Sequence, residues 1–268
     1  MSGTAFPEKR DAEPLNSRVF AALENLGTVF EKGLSDPLRP QRFDLGDLSP
    51  EERAQIVTLL GEGEISGRVL PVPGEGGEIL HIRESVYPGL WLLGSRSEES
   101  GGVALARIEA GASPGILVQP PSPSPLLAAG GLGSEDPESS RLRPLLMNAL
   151  PLLEEASFHL AHYDPGKTMH RIFLNKLPLS EGDAEWIDRV LAGGRISLGS
   201  KGYGDCQVLS TPFSGLWRVL YKNPEGIPLL DALCVAGLPD EIAATPEDMA
   251  RGISDFRDFL DWASRDLS

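Results

Sequence analysis

The chain has 268 residues, and its 24 Lys and Arg against 39 Asp and Glu give a formal net charge of −15 at pH 7. This charge argues against binding to nucleic-acid phosphates or anionic lipid, since basic stretches such as Arg141-Leu142-Arg143 hold only two charges. Two cysteines are too few for a disulfide framework, and the sequence shows neither a signal peptide nor a membrane-spanning apolar run. We therefore expect a cytoplasmic protein that does not bind nucleic acid or insert into a membrane.

Two helices are predicted in the first part of the chain. Apolar residues at helical spacing indicate an amphipathic helix over residues 16–32, capped near Asn16. The second helix begins with a capping box of Ser49 and Glu52 and ends at Gly61. Short β runs separated by Gly and Pro follow at residues 78–83, 89–93 and 103–109.

The middle of the chain is rich in proline. Residues 111–137 contain six prolines, which predicts an exposed, mobile loop. Apolar residues then recur at helical spacing from Arg141 to Tyr163, where Pro144 and Pro151 must start, break or kink the helix.

The last part of the chain repeats the order of the first. Ser180 and Asp183 cap a helix, and β runs follow at residues 206–210, 216–221 and 229–235. Short connections require these strands to be antiparallel. A helix capped by Thr245 is predicted to close this second unit.

The two parts match closely enough to indicate a tandem duplication. The helix signals correspond at an offset of 131 residues, Gly89-Leu90-Trp91 matches Gly215-Leu216-Trp217, and Ile108 is aligned with Cys234. We predict an α+β fold of two tandem units, each with a helix, a small antiparallel sheet and a closing helix. The predicted domains are an N-terminal helix and tail (1–45), a first repeat (46–165) and a second repeat (166–268).

One turn in the second repeat is a candidate functional site. The candidates are Lys201, Gly202, Tyr203, Gly204, Asp205 and Cys206. The glycines permit positive φ and close backbone approach. The turn either contacts a ligand, with Cys206 as thiolate or metal ligand, or leads into a strand with Cys206 packed in the core. Trp91 and Trp217 are candidates for binding or for core packing.

Three histidines form a candidate metal site, whereas the sequence offers no catalytic constellation. His159, His162 and His170 lie close together in sequence, and with Cys206 they are candidate metal ligands; the alternative is a solvated helix end. Cys206 and Cys234 are expected on strands too far apart for a disulfide. The dispersed carboxylates and the lack of a nucleophile elbow predict no catalytic residues, no enzyme activity and no bound cofactor.

The sequence around the candidate turn resembles a known family. Lys201-Gly202-Tyr203-Gly204-Asp205-Cys206, then Ser210-Thr211 and Leu216-Trp217-Arg218-Val219, resemble the C-terminal region of the HupH/HyaF hydrogenase expression/formation proteins. The resemblance covers about residues 174–262, with Lys201 and Asp205 where the family usually has Arg and Asn.

This resemblance implies an accessory factor for maturation of a nickel–iron uptake hydrogenase. Its expected partners are a hydrogenase subunit precursor or another maturation protein. One alternative is a thiol- or metal-dependent carrier or enzyme that handles nickel, iron or an iron–sulfur group through Cys206. Another is a purely structural adaptor that acts through the Pro-rich loop.

Overall fold

Ten antiparallel strands form one continuous sheet in the computed structural model, which describes residues 15–96, 103–124, 126, 137–164, 169–201 and 205–266. The strands are β1 (Gln41–Phe43), β2 (Ile65–Val69), β3 (Leu80–Glu84), β4 (Leu90–Arg96), β5 (Val103–Ala110), β6 (His170–Phe173), β7 (Ile196–Ser200), β8 (Asp205–Ser210), β9 (Leu216–Lys222) and β10 (Pro228–Val235). The helices in the described residues are α1 (Ser17–Ser35), α2 (Pro50–Leu60), α3 (Pro137–Leu142), α4 (Ala149–Ala161), α5 (Glu181–Leu191) and α6 (Pro246–Asp266).

The prediction of two separate small sheets is therefore wrong. The strand order is β1-β5-β4-β3-β2-β7-β8-β9-β10-β6, which reads the same from both edges when β1–β5 are matched with β6–β10. Four of these strands, β1, β2, β6 and β7, were not predicted from the sequence. Each is short, and at least one of its hydrogen-bonding partners lies far away in sequence, so local pattern alone does not identify it. The α+β class and the antiparallel pairing are confirmed.

The pairing of β2 with β7 joins the two halves of the sheet, and we call this pairing the seam. Gly67 lies opposite Leu198, and the two are separated by the 131-residue offset seen in the sequence. A local two-fold axis therefore passes between them. A Cβ atom on Gly67 would lie 2.2 Å from the backbone oxygen of Ser197, so the seam requires glycine at this position.

The predicted helix starts are confirmed. Asn16 caps α1, and Ser49 with Glu52 and Ser180 with Asp183 form capping boxes on α2 and α5. The acidic residue of each capping box, Glu52 or Asp183, also accepts hydrogen bonds from the N-terminal end of the preceding helix. In the first half, the Asn16 side chain donates to Glu52 at 3.1 Å. In the second half, the Asp183 carboxylate accepts backbone N–H groups at the start of α4.

Helices cover one face of the sheet, which we call the helix face. α1, α2 and α6 pack on the first half, and α4 and α5 pack on the second half, each set over its own apolar cluster. A third apolar cluster covers the opposite face and continues across the seam from Trp91 to Trp217. Because side chains alternate along each strand, every central strand contributes to both faces.

The final helix was predicted to close the second half, but it lies on the first half instead. α6 packs against α1 on the first half, where the Phe256 ring lies 6.2 Å from Phe30 and 5.0 Å from Tyr87. Arg257 also forms an ion pair with Glu31 of α1 at 2.7 Å. The helix face of the second half is already covered by α4 and α5, which leaves the first half as the site for the apolar stripe of α6.

Where the structure describes it, the Pro-rich segment has no regular secondary structure over residues 118–124 and is partly exposed, as predicted, but it is also held against the sheet. Leu117 is fully buried in the third cluster, and Gln119 donates its backbone N–H to Gly237 at 2.8 Å. Residue 125 and residues 127–136 lie outside the described residues. As predicted, Pro144 separates the two helices α3 and α4, and Pro151 lies in the first turn of α4.

Among the described residues, no helix combines the length and the apolar character that crossing a lipid bilayer requires.

Candidate functional site

A polar groove opens on the helix face above the seam. We call it the seam groove; its volume is about 740 Å³. The polar side chains that line it are Glu62, Ser66, Arg68, His81, Arg83, Ser197, Asp205 and Gln207. They alternate along β2, β3, β7 and β8 with residues of the third apolar cluster, so they point toward the helix face. Both halves of the sheet thus contribute to one groove.

The groove contains two arginines, one histidine and two carboxylates. Arg68 is exposed on β2, His81 lies next to it on β3, and Arg83 forms an ion pair with Glu62. Asp205 supplies the negative charge of the second half. An arginine guanidinium offers five N–H donors, so Arg68 can bind a carboxylate or a backbone carbonyl of a partner.

The candidate turn lies beside this groove. The backbone N–H of Lys201 donates to Glu64 at 3.0 Å, which extends the seam by one bond, and both side chains are exposed. Asp205 is exposed and lines the groove. Residues 202–204 lie outside the described residues, so Gly202, Tyr203 and Gly204 remain candidates from the sequence.

Cys206 lies on the opposite face of the sheet from the groove. Its side chain is buried in the third cluster, where burial raises the thiol pKa although a hydrogen bond with Tyr221 acts in the other direction. Burial also raises the pKa of Cys234 to about 12. Both cysteines are free, as the sequence analysis expected, and neither environment favours the reactive thiolate.

The sequence alignment paired Cys234 with Ile108, and the strand register corrects this pairing. Trp217 lies opposite Cys234 on β10, and Trp91 lies opposite Glu109 on β5, so Glu109 rather than Ile108 occupies the matching position. Glu109 is buried and forms an ion pair with Arg107 at 2.8 Å. The strand register in the first half therefore differs by one residue from the alignment of Ile108 with Cys234.

Trp91 and Trp217 occupy matching positions in the two halves. Both side chains are fully buried, and each indole donates at 3.1 Å to a backbone carbonyl after the next strand, Gly111 or Ala236. The geometry favours the core-packing alternative, since a buried indole with its N–H satisfied offers no surface to a ligand.

The structure brings two of the three candidate histidines together. The rings of His159 and His170 stack with their centroids 3.4 Å apart, and Glu155 lies 2.8 Å from Nε2 of His170. His162 stacks instead on Phe158 at 4.2 Å. Glu155 was not among the predicted ligands, although it precedes His159 by four residues and so shares its helix face.

Comparison with known proteins supplies the family. Residues 146–263 match the family described as "HupH hydrogenase expression protein, C-terminal conserved region". "Hydrogenase expression/formation protein HoxQ" of Cupriavidus necator is 31% identical over 229 residues, covering 85% of this chain and 76% of that protein. "Hydrogenase-1 operon protein HyaF" of Escherichia coli K12 is 30% identical over 222 residues, covering 82% of this chain and 72% of that protein.

A solved structure also matches. The "Hydrogenase expression protein HupH" from Thiobacillus denitrificans shares 31% identity, covers 42% of this chain and 95% of that chain, and has a TM-score of 0.40.

The fold and the groove define an α+β protein whose helices cover one face of a single antiparallel sheet and leave a polar groove at its centre. The chain belongs to the HupH/HyaF family of hydrogenase expression/formation proteins.

Proposed function

We propose that this protein is an accessory factor in the maturation of a nickel–iron uptake hydrogenase and that it acts by binding a protein partner. The partner is a hydrogenase subunit precursor or another maturation protein. The observation that carries the proposal is family membership over 85% of the chain with a relative named as a hydrogenase expression/formation protein.

The seam groove is the proposed binding surface. It combines an open volume of about 740 Å³ with Arg68, His81 and Asp205, and it lies beside the family signature at Lys201. An extended segment of a partner can place its carbonyl and carboxylate oxygens against the arginine. The burial of Cys206 on the opposite face weighs against a mechanism through its thiol.

The proposed function does not require the Pro-rich segment to act as a separate binding loop. Leu117 and Gln119 hold its described part against the sheet. This packing supports a structural role for residues 111–124 and weighs against the adaptor alternative.

We also propose that the two halves of the sheet derive from one duplicated unit. The mirrored strand order, the seam pairing of Gly67 with Leu198, and the matching tryptophan hydrogen bonds support it. The capping acids Glu52 and Asp183 support it independently, since each also holds the N-terminus of the preceding helix. The repeat boundaries near residues 46 and 166 belong to the same proposal.

Affinity isolation under anaerobic conditions from hydrogenase-producing cells tests the proposed function. Wild-type protein should recover a hydrogenase subunit or another maturation protein, and deletion of its gene should lower hydrogenase activity. Failure of both results would overturn the function.

A charge reversal tests the groove. Arg68→Glu should reduce recovery of the partner, because it replaces the exposed donor with a repelling carboxylate. The matched control is Arg39→Glu, an exposed arginine before the edge strand β1. Equal recovery by a folded Arg68→Glu protein and wild type would show that the partner binds elsewhere.

A further inference from the structure

A mixed cluster of two histidines and one glutamate lies where α4 meets the edge strand β6. Glu155 and His159 are one helical turn apart on α4, and His170 begins β6. One ligand atom from each of the three side chains lies within 4.8 Å of the other two. His170 shares the helix face of the sheet with Ile172, which brings it against α4.

The protonation chemistry of this cluster suits metal binding. Burial lowers the pKa of His159, and the nearby His170 lowers it further. A neutral imidazole presents the lone pair that a metal ion needs. The His159 and His170 rings stack with their centroids 3.4 Å apart, so two positive charges at this spacing would repel each other, whereas a shared metal ion would not require them.

We propose that Glu155, His159 and His170 bind a divalent first-row transition metal ion. Two imidazole nitrogens and one carboxylate oxygen form a donor set that zinc and its neighbours accept, with the remaining coordination position open to water or to a partner protein. The parallel rings must turn apart so that their lone pairs meet at one ion. The ring torsions have broad energy wells, which permits this movement.

The same geometry excludes two other candidates from the site. The Nδ1 atom of His162 lies 2.8 Å from the carbonyl oxygen of Phe158, and its ring stacks on Phe158. Cys206 is buried on the opposite face of the sheet. Of the metal ligands predicted from the sequence, the proposed site keeps His159 and His170, leaves out His162 and Cys206, and adds Glu155.

Zinc titration of the tag-free chain, in competition with a chromophoric chelator, tests the proposal. We expect one zinc ion per chain, and at least about tenfold weaker binding in His170→Gln and in Glu155→Gln. The matched control is His162→Gln, which removes a neighbouring histidine outside the cluster and should leave the affinity unchanged. Far-UV circular dichroism checks that each variant is folded.

Cobalt substitution gives a second readout that does not depend on affinity. Co²⁺ bound by these ligands should show visible d–d absorption in wild type and in His162→Gln, and the absorption should be lost in His170→Gln. Binding should weaken below about pH 6, where histidines become protonated and compete with the metal. Equal zinc affinity in wild type and His170→Gln, or no stoichiometric binding at micromolar zinc, would overturn the proposal.

Discussion

Glu84 is a buried carboxylic acid whose ionisation should destabilise the fold. Its side chain lies at the end of β3, and burial raises its pKa to about 7, although the backbone N–H of Gly89 partly offsets this at 3.4 Å. Glu64 and Asp248 add repulsion. The unfolded chain ionises this group near pH 4.5, whereas the folded chain keeps it protonated until about pH 7.

The sign follows from proton binding in the two states. Between pH 4.5 and about 7 the folded state holds more protons at Glu84 than the unfolded state, so stability falls as pH rises. A difference of about 2.5 between the two pKa values corresponds to about 3 kcal/mol. Glu84→Gln removes the charge and keeps the shape, so its stability relative to wild type should rise by about 2.5 kcal/mol from pH 5 to pH 8.5, since part of the effect is already present at pH 5.

Urea unfolding followed by tryptophan fluorescence measures this change, because Trp91, Trp186 and Trp217 are fully buried. Glu78→Gln is the control, since it removes an exposed carboxylate just before the same strand. Its stability relative to wild type should stay constant across this pH range. A Glu84→Gln effect that varies by less than about 0.5 kcal/mol between pH 5 and pH 8.5 would refute the reasoning.

Three further predictions follow from the packing. Asp183→Asn should lower the free energy of unfolding by about 2–3 kcal/mol, because the carboxylate accepts N–H groups at two helix starts. Burial raises the pKa of Asp183, but these hydrogen bonds outweigh it and lower the pKa to about 2. In the wild type, the stability that Asp183 contributes should therefore be lost as pH falls from 3.8 toward 2. Urea unfolding should show that Gly67→Ala is destabilised by about 1–3 kcal/mol, because its Cβ would collide with the backbone of Ser197. Gly199→Ala is the control and should be nearly neutral, since its added Cβ lies no closer than 3.8 Å to any neighbouring atom. A thiol reagent should label neither Cys206 nor Cys234 in the folded chain and both after unfolding; rapid labelling of the folded chain would contradict their burial.

The parts of the fold that sequence could predict depend on local chemistry. Ser49 and Glu52 lie three residues apart, so their capping box is visible without any tertiary contact. The turn between Asn223 and Gly226 likewise depends on neighbouring residues, since the backbone N–H of Gly226 donates to Asn223 at 2.9 Å. These signals fix where elements begin and end, but they do not say which element packs on which.

The seam and the histidine cluster depend on distant partners. β2 carries Gly67 in its middle, which weakens its strand pattern, and only β7 completes its hydrogen bonds. His170 meets His159 because β6 lies against α4, and β6 is a strand that the sequence did not predict. Both the seam and the histidine cluster are determined by contacts between residues far apart in sequence, so local propensity does not predict them.

The placement of α6 has a consequence for biosynthesis. The core around Phe30 and Tyr87 is completed by Phe256, so the N-terminal half of the chain cannot finish folding until residues 246–266 have left the ribosome. Until β7 is made, β2 also presents an unpaired edge that can join another chain. The protein should therefore fold late and as a whole, and a chain that lacks residues 246–266 should aggregate rather than leave a folded N-terminal fragment.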